Sequence, residues 1–156
     1  MIELRVPTDH REVEVVCADG RSFKGRIFLP VLAARHTGPM RPLEWMNDNV
    51  PFFPFLPAGE SASVILNKHE VLILTVAAPA EEDEDALPPG TPMRRVVVEC
   101  RGRVIEGEVA IDMPENQRRV LDSLNFADPF LTVRDGARHH LVRKARITRI
   151  LEPGKE

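Results

Sequence analysis

The chain has 156 residues, which is enough for one ordinary domain or two very small ones but too few for a large enzyme scaffold. Hydrophobic residues make up 43% and charged residues 29%, a balance that is typical of a globular protein and excludes wholesale disorder. The formal net charge of −3 and the absence of tyrosine disfavour a single-strand nucleic-acid binder, which needs a basic surface and stacking rings.

The sequence predicts a soluble, cytoplasmic protein. The longest apolar run, at residues 71–80, is far shorter than the roughly 20 residues that cross a bilayer. Residues 1–10 lack the basic and then apolar pattern of a secretory signal. Cys17 and Cys100 are too few for a disulfide scaffold or a thiolate zinc site, so we expect both to be buried thiols.

The strongest pattern in the chain is an internal duplication. Three pairs of segments correspond in the same order: 13–25 with 96–107, 41–55 with 119–133, and 66–74 with 142–150. Cys17 thereby aligns with Cys100. We therefore divide the chain into a first β repeat at 1–76, an acidic, proline-rich linker at 77–93 and a second β repeat at 94–156.

The first elements of each repeat read as a β-hairpin. Val13, Val15 and Cys17 alternate with polar residues, Asp19-Gly20 predicts a tight turn, and a second strand follows at 23–29. Glycines inside the second strands, at Gly25 and Gly107, predict a bulge or a sharp bend of the kind that small barrels need.

The remaining elements are one helical turn and three strands per repeat. We expect helical turns at 42–47 and 119–125, each ended by its asparagine in the left-handed conformation. Strands are expected at 52–56, 61–66, 130–134 and 138–142, and each repeat closes with one more strand.

These elements predict a mainly β protein of two tandem small β-barrel or β-roll repeats, Sm-like or SH3-like, packed about a pseudo-twofold axis. A unit of this size buries only about 60% of its extended surface, so the two repeats should pack on each other.

Two resemblances follow from these motifs. The hairpin with Asp19-Gly20-Arg21 and Gly25 resembles the opening of Sm-like domains, which are small bent β-barrels that bind RNA. In that family a Met-Asn or Leu-Asn pair follows the glycine closely, whereas Asn47 and Asn125 come much later, so no RNA-binding residue is carried over. Both repeats are also similar to an uncharacterised bacterial domain family with an Arg-x-Leu-Asp-x-Leu-Asn turn, which implies no activity and no ligand.

No catalytic signature was found: the chain lacks a nucleophile elbow, a phosphate-binding loop, a dinucleotide-binding glycine motif and a zinc-protease motif. His139 and His140 are adjacent in a predicted strand and point to opposite faces, which disfavours joint metal binding. We therefore expect a non-enzymatic protein with no cofactor and no metal.

The candidate partner-binding residues are Trp45, Phe53, Arg41 and Arg119. Trp45 and Phe53 belong to an aromatic and proline-rich cluster, which is either core or, if exposed, a protein-binding hot spot. Arg41 and Arg119 each precede an acidic residue by three positions, so they either pin the helical turn or contact a ligand.

A cationic segment near the end of the chain supplies the candidates for anion or nucleic-acid binding: Arg138, Arg143, Lys144, Arg146 and Arg149. They either form a solvated strand face, dock the acidic run at 81–85, or bind an anionic partner.

The function that these features favour is a protein-interaction module, an adaptor or structural protein. Two alternatives stay open. One is an Sm-like nucleic-acid binder that uses the cationic segment, and the other is a sensor of a small anionic ligand with Arg41, Arg119 and the cleft between repeats as its site.

Overall fold

The computed structural model describes residues 8–30, 40–78, 90–111 and 119–153, and within them the chain is mainly β. Ten strands alternate with two short helices, α1 (Pro42–Asn47) and α2 (Val120–Leu124). The first five strands are β1 (Thr8–Cys17), β2 (Ser22–Pro30), β3 (Phe52–Pro57), β4 (Val64–Asn67) and β5 (Val71–Ala77). The second five are β6 (Met93–Cys100), β7 (Arg103–Ala110), β8 (Phe130–Asp135), β9 (Arg138–Arg143) and β10 (Ile147–Leu151). Short 3-10 turns, Lys68–Glu70 and Lys144–Arg146, precede β5 and β10.

The predicted hairpins and helices are confirmed within a few residues. Gly20, Gly102 and Gly136 have positive φ at three of the four hairpin turns, as the turn residues predict. The left-handed ending of the helices was wrong: Arg101 is the only non-glycine residue of the described ranges with positive φ. After α1 the chain runs straight into an extended conformation at Asp48, and Asn125 stays in the right-handed region.

All ten strands belong to one antiparallel sheet in the order β10-β6-β7-β8-β9-β5-β1-β2-β3-β4. The predicted mainly β character is confirmed, but the β-barrel part of the prediction was wrong, since this sheet is not closed into a barrel. The free side of β5 pairs with β9, from Ile73 opposite Val142 to Ala77 opposite Arg138, and so neither group of five strands closes on itself.

The pairing of β5 with β9 also corrects the expected pseudo-twofold packing. A twofold axis would place a strand against its own counterpart, as in a symmetric dimer. The junction instead joins the last strand of the first group to the fourth strand of the second group. The two groups therefore follow each other head to tail.

Two hydrophobic clusters form the core, and each contains side chains from the other half of the chain. The cluster built mostly on β1, β2, β3, β5 and α1 also contains Phe130 and Leu141. The cluster built mostly on the later strands also contains Val16, Leu72 and Ile73. Cys17 and Cys100 are buried free thiols, as predicted, and burial raises the pKa of both.

Gly25 and Gly107 lie where two neighbouring strands of the sheet approach each other closely. A Cβ atom on Gly25 would lie 2.1 Å from the carbonyl oxygen of Leu56, and one on Gly107 would lie 2.5 Å from that of Arg134. The pairing of β1 with β2 runs through Gly25 without a register shift, so the glycine serves close approach and not a bulge.

Candidate functional site

The aromatic candidates lie in the core. Trp45 and Phe53 are both buried and meet edge to face, with ring centroids 4.7 Å apart. Lys68 packs over Trp45 and donates hydrogen bonds to the Trp45 carbonyl and, at 2.9 Å, to Asp48 Oδ1. Of the two interpretations left open for these rings, burial favours the core.

The residue that sequence reasoning missed in this cluster is Phe52. In β3 the side chains alternate, so Phe53 and Phe55 turn inward while Phe52 faces solvent. Side chains alternate in any strand, so the predicted strand at 52–56 could have indicated that Phe52 and Phe53 face opposite sides.

Arg41 and Arg119 are placed at the starts of the two helices. The backbone N–H of Arg119 donates a hydrogen bond to Asp122 Oδ2, and its guanidinium donates two hydrogen bonds of 3.0 Å to the same carboxylate. That hydrogen bond raises the pKa of Arg119 and lowers the pKa of Asp122. The backbone N–H of Arg41 donates to Glu44 Oε1 at 3.1 Å in the same way. Both pairs fit the helix-capping interpretation.

The cationic segment does not form one surface, because two of its five residues bind backbone carbonyls of the fold and a third is paired with a carboxylate. Arg143 is buried and donates to the carbonyls of Val71, at 2.9 Å, and Lys68. Lys144 donates to two carbonyls at the end of α2, each at 3.1 Å, and burial lowers its pKa. Arg149 is ion-paired with Glu99.

Arg138, Arg146 and Arg149 are exposed, and of these three Arg149 is held by its ion pair with Glu99. Arg138 lies at the rim of a cavity of about 770 Å³ beside the junction of β5 and β9. Its charged lining consists of three acidic and three basic residues: Glu12, Glu14, Glu60, Lys24, Arg26 and Arg138. This mixed charge has no preference for an anion, and Arg41 and Arg119 lie outside the lining. The acidic run at 81–85, suggested as a docking segment, lies outside the described residues.

His140 sits on the junction. Its Nδ1 is 2.8 Å from the hydroxyl oxygen of Thr75 on β5, and its Nε2 is 3.8 Å from Asp135 Oδ2. Burial lowers the pKa of His140, and the nearby Asp135 carboxylate partly offsets this. Within the described ranges no three histidine, cysteine or acidic side chains are grouped so that they could hold a metal ion.

A further feature is an apolar surface on the outside of the hairpin formed by β3 and β4. We call it the hairpin patch and define it by Phe52 and Ile65, together with Val50 just before β3, all of them exposed. Val64 is exposed too, but it lies opposite Phe55 and therefore on the other face. Pro54 lies opposite Ile65 and Phe52 lies opposite Asn67, so Phe52 and Ile65 are diagonal neighbours on one face. No other described strand pairs with the outer side of β4.

In the part of the chain that is described, no helix has the length and apolar character that a membrane crossing requires. No protein-family model matches the chain, and neither a curated protein nor a solved structure matches it, so the two resemblances drawn from the sequence stay predictions.

Proposed function

We propose that this chain is a non-enzymatic protein-interaction module, made of two copies of one five-stranded unit, and that it binds a protein partner through the hairpin patch and the free edge of β4. The duplication is supported by the three aligned segments and by the strand order. The order is β5-β1-β2-β3-β4 in the first group and β10-β6-β7-β8-β9 in the second.

The observation that carries the binding proposal is the exposure of the hairpin patch. Ile65 is 75% exposed and Phe52 is 56% exposed, although both are large apolar residues on adjacent strands. Single exposed apolar residues are ordinary, but a contiguous group of this kind marks contact surfaces. The side chains of phenylalanine and isoleucine carry no hydrogen-bonding group, so this surface is suited to contact with apolar side chains of another protein.

The edge of β4 adds a second means of binding. β4 is only four residues long, but its sequence, Val64-Ile65-Leu66-Asn67, has no charged residue and no proline, two of the features that usually keep an edge strand from pairing. Backbone N–H and C=O groups on the outer side of β4 can therefore receive a strand from a partner, while the patch receives its side chains.

The proposal is tested by photo-crosslinking in the native cells. A photo-reactive amino acid is placed at position 65, and in a matched control at position 104. Val104 is 60% exposed but lies on β7, inside the sheet order. We expect a discrete protein adduct from position 65 and none from position 104. Equal adducts from both positions, no adduct, or an adduct to nucleic acid would overturn the proposal.

A further inference from the structure

We infer that the partner of the hairpin patch is a second copy of this chain, which meets it head to tail through α2 and β10. The inference rests on the proposed function and on the proposed duplication. It is argued from the junction inside the chain, where the two groups of strands already meet in this way.

At the internal junction, β5 and α1 of the first group receive β9 and β8 of the second. Asn47, the last residue of α1, accepts the backbone N–H of Phe130 through its side-chain oxygen at 2.9 Å. Phe130 is only 2% exposed and belongs to the hydrophobic cluster of the first group. Leu141 of β9 is also 2% exposed and lies opposite Leu74 of β5.

The counterparts of these buried residues lie uncovered at the start of the sheet. In the aligned segments Phe52 corresponds to Phe130, and extending the third pair of segments by one residue makes Ile65 correspond to Leu141. The aromatic ring is the same residue type in both copies, yet it is buried at position 130 and 56% exposed at position 52. The difference arises because β9 is covered by β5, whereas no described strand covers β4.

The other end of the sheet carries the matching half of the contact. Asn125 corresponds to Asn47, and β10 corresponds to β5. The exposed apolar side chains of this end, which a second copy would cover, are Leu121, Phe126 and Leu151. Each end of the molecule thus presents one half of the junction that the chain forms internally.

Repeating the internal register places β10 of one copy antiparallel to β4 of the next. Ile150 then faces Ile65, Leu151 faces Val64, and the side-chain oxygen of Asn125 accepts the N–H of Phe52. Because the two surfaces differ, the interface is heterologous, and each dimer still has one free surface of each kind. Association therefore continues into a ring or a filament.

The contact between copies should be weaker than the internal junction. Arg143 bridges the internal junction to two carbonyls of the first group, but its counterpart is Asn67. Asn67 has a shorter side chain, and its oxygen already accepts the N–H of His69. β4 is also shorter than β9. We therefore expect association that depends on protein concentration.

The test is sedimentation velocity of the full chain over a thousandfold range of concentration, with one lesion at each end. We expect the wild-type average mass to rise above one chain. Ile65→Lys and Leu151→Lys should each weaken self-association at least about a hundredfold, because each buries an unpaired ammonium group. Val104→Lys should change nothing. The replaced side chains are all exposed, and thermal melts verify that the variants fold.

Mixing the two lesions decides the geometry. An equimolar mixture of Ile65→Lys and Leu151→Lys still contains one intact β10 end and one intact β4 end, so it should form a dimer and nothing larger.

Asn125→Ala should weaken association about fivefold by removing one hydrogen bond. A wild-type chain that stays monomeric, a mixture that stays monomeric, or a Leu151→Lys variant that associates normally would each overturn the inference.

The photo-crosslink at position 65 separates this inference from the proposed function. An adduct with the mass of two chains supports both. An adduct with a different protein, together with a monomeric chain in sedimentation, overturns the second copy and leaves the proposed function standing. If no protein adduct forms at all, both fall.

Discussion

Replacing Gly25 by alanine should destabilise the fold more than the same substitution at Gly20 or Gly59, the other described glycines of the first five strands. The added Cβ would lie 2.1 Å from the Leu56 carbonyl oxygen and 2.7 Å from Cζ of the Phe55 ring, both well inside ordinary contact distance. The carbonyl belongs to the backbone of β3, so the two strands must separate. Separation would also weaken the hydrogen bond from the Ala58 N–H to the Lys24 carbonyl, now 2.8 Å.

The expected loss in the free energy of unfolding is about 3 kcal/mol, the sum of an overpacked contact and one weakened hydrogen bond. For a chain of this length that corresponds to a fall in Tm of about 6 to 12 °C. Urea unfolding followed by circular dichroism measures it.

Gly59→Ala is the matched control, since Gly59 has a φ of 79° but no atom within 4 Å of the added Cβ. Its cost, about 1 kcal/mol, comes from backbone conformation alone. If Gly25→Ala costs no more than Gly59→Ala, the strands do not approach as closely as described.

Two further predictions concern the junction. Arg143→Met should lower stability by about 2 kcal/mol, because the carbonyls of Val71 and Lys68 lose a charged donor while the cost of burying the guanidinium is removed. Arg146→Met, at an exposed position, should change the free energy of unfolding by less than about 0.5 kcal/mol. Equal effects of the two substitutions in urea unfolding would contradict the stabilising role of the Arg143 hydrogen bonds. For His140, whose pKa burial lowers from 6.5, the folded state binds protons less readily than the unfolded state. The free energy of unfolding should therefore be highest above pH 6.5 and should fall as the pH drops from there toward the lower pKa of the folded state. The fall should be smaller in His140→Asn. Urea midpoints measured at several pH values test this, and the same pH dependence in both proteins would refute it.

The sequence predicts local structure well because the signals for it are local. Asp19-Gly20 and Asp135-Gly136 specify their hairpins through the positive φ that glycine accepts. The proline at the start of α1 sets the helix to begin there.

The site could not be predicted in the same way, because it depends on which strands become edges. Nothing local distinguishes Phe52 from Phe130, yet pairing with another strand decides which ring is covered. Arg143 reads as a surface cation, but the junction provides two backbone acceptors and the ring of Phe130, 4.6 Å away, which together allow its burial.

The exchange of side chains between the two hydrophobic clusters has a consequence for how the chain folds during synthesis. β5 is complete 60 residues before β9 begins, and at roughly 5 to 20 residues per second that interval lasts roughly 3 to 12 seconds. Throughout it, the uninterrupted apolar run Val71-Leu72-Ile73-Leu74 has no strand to cover its free side. Such a run is prone to pair with other nascent chains, so the yield of native protein should depend on chaperones that hold the first half until the second emerges.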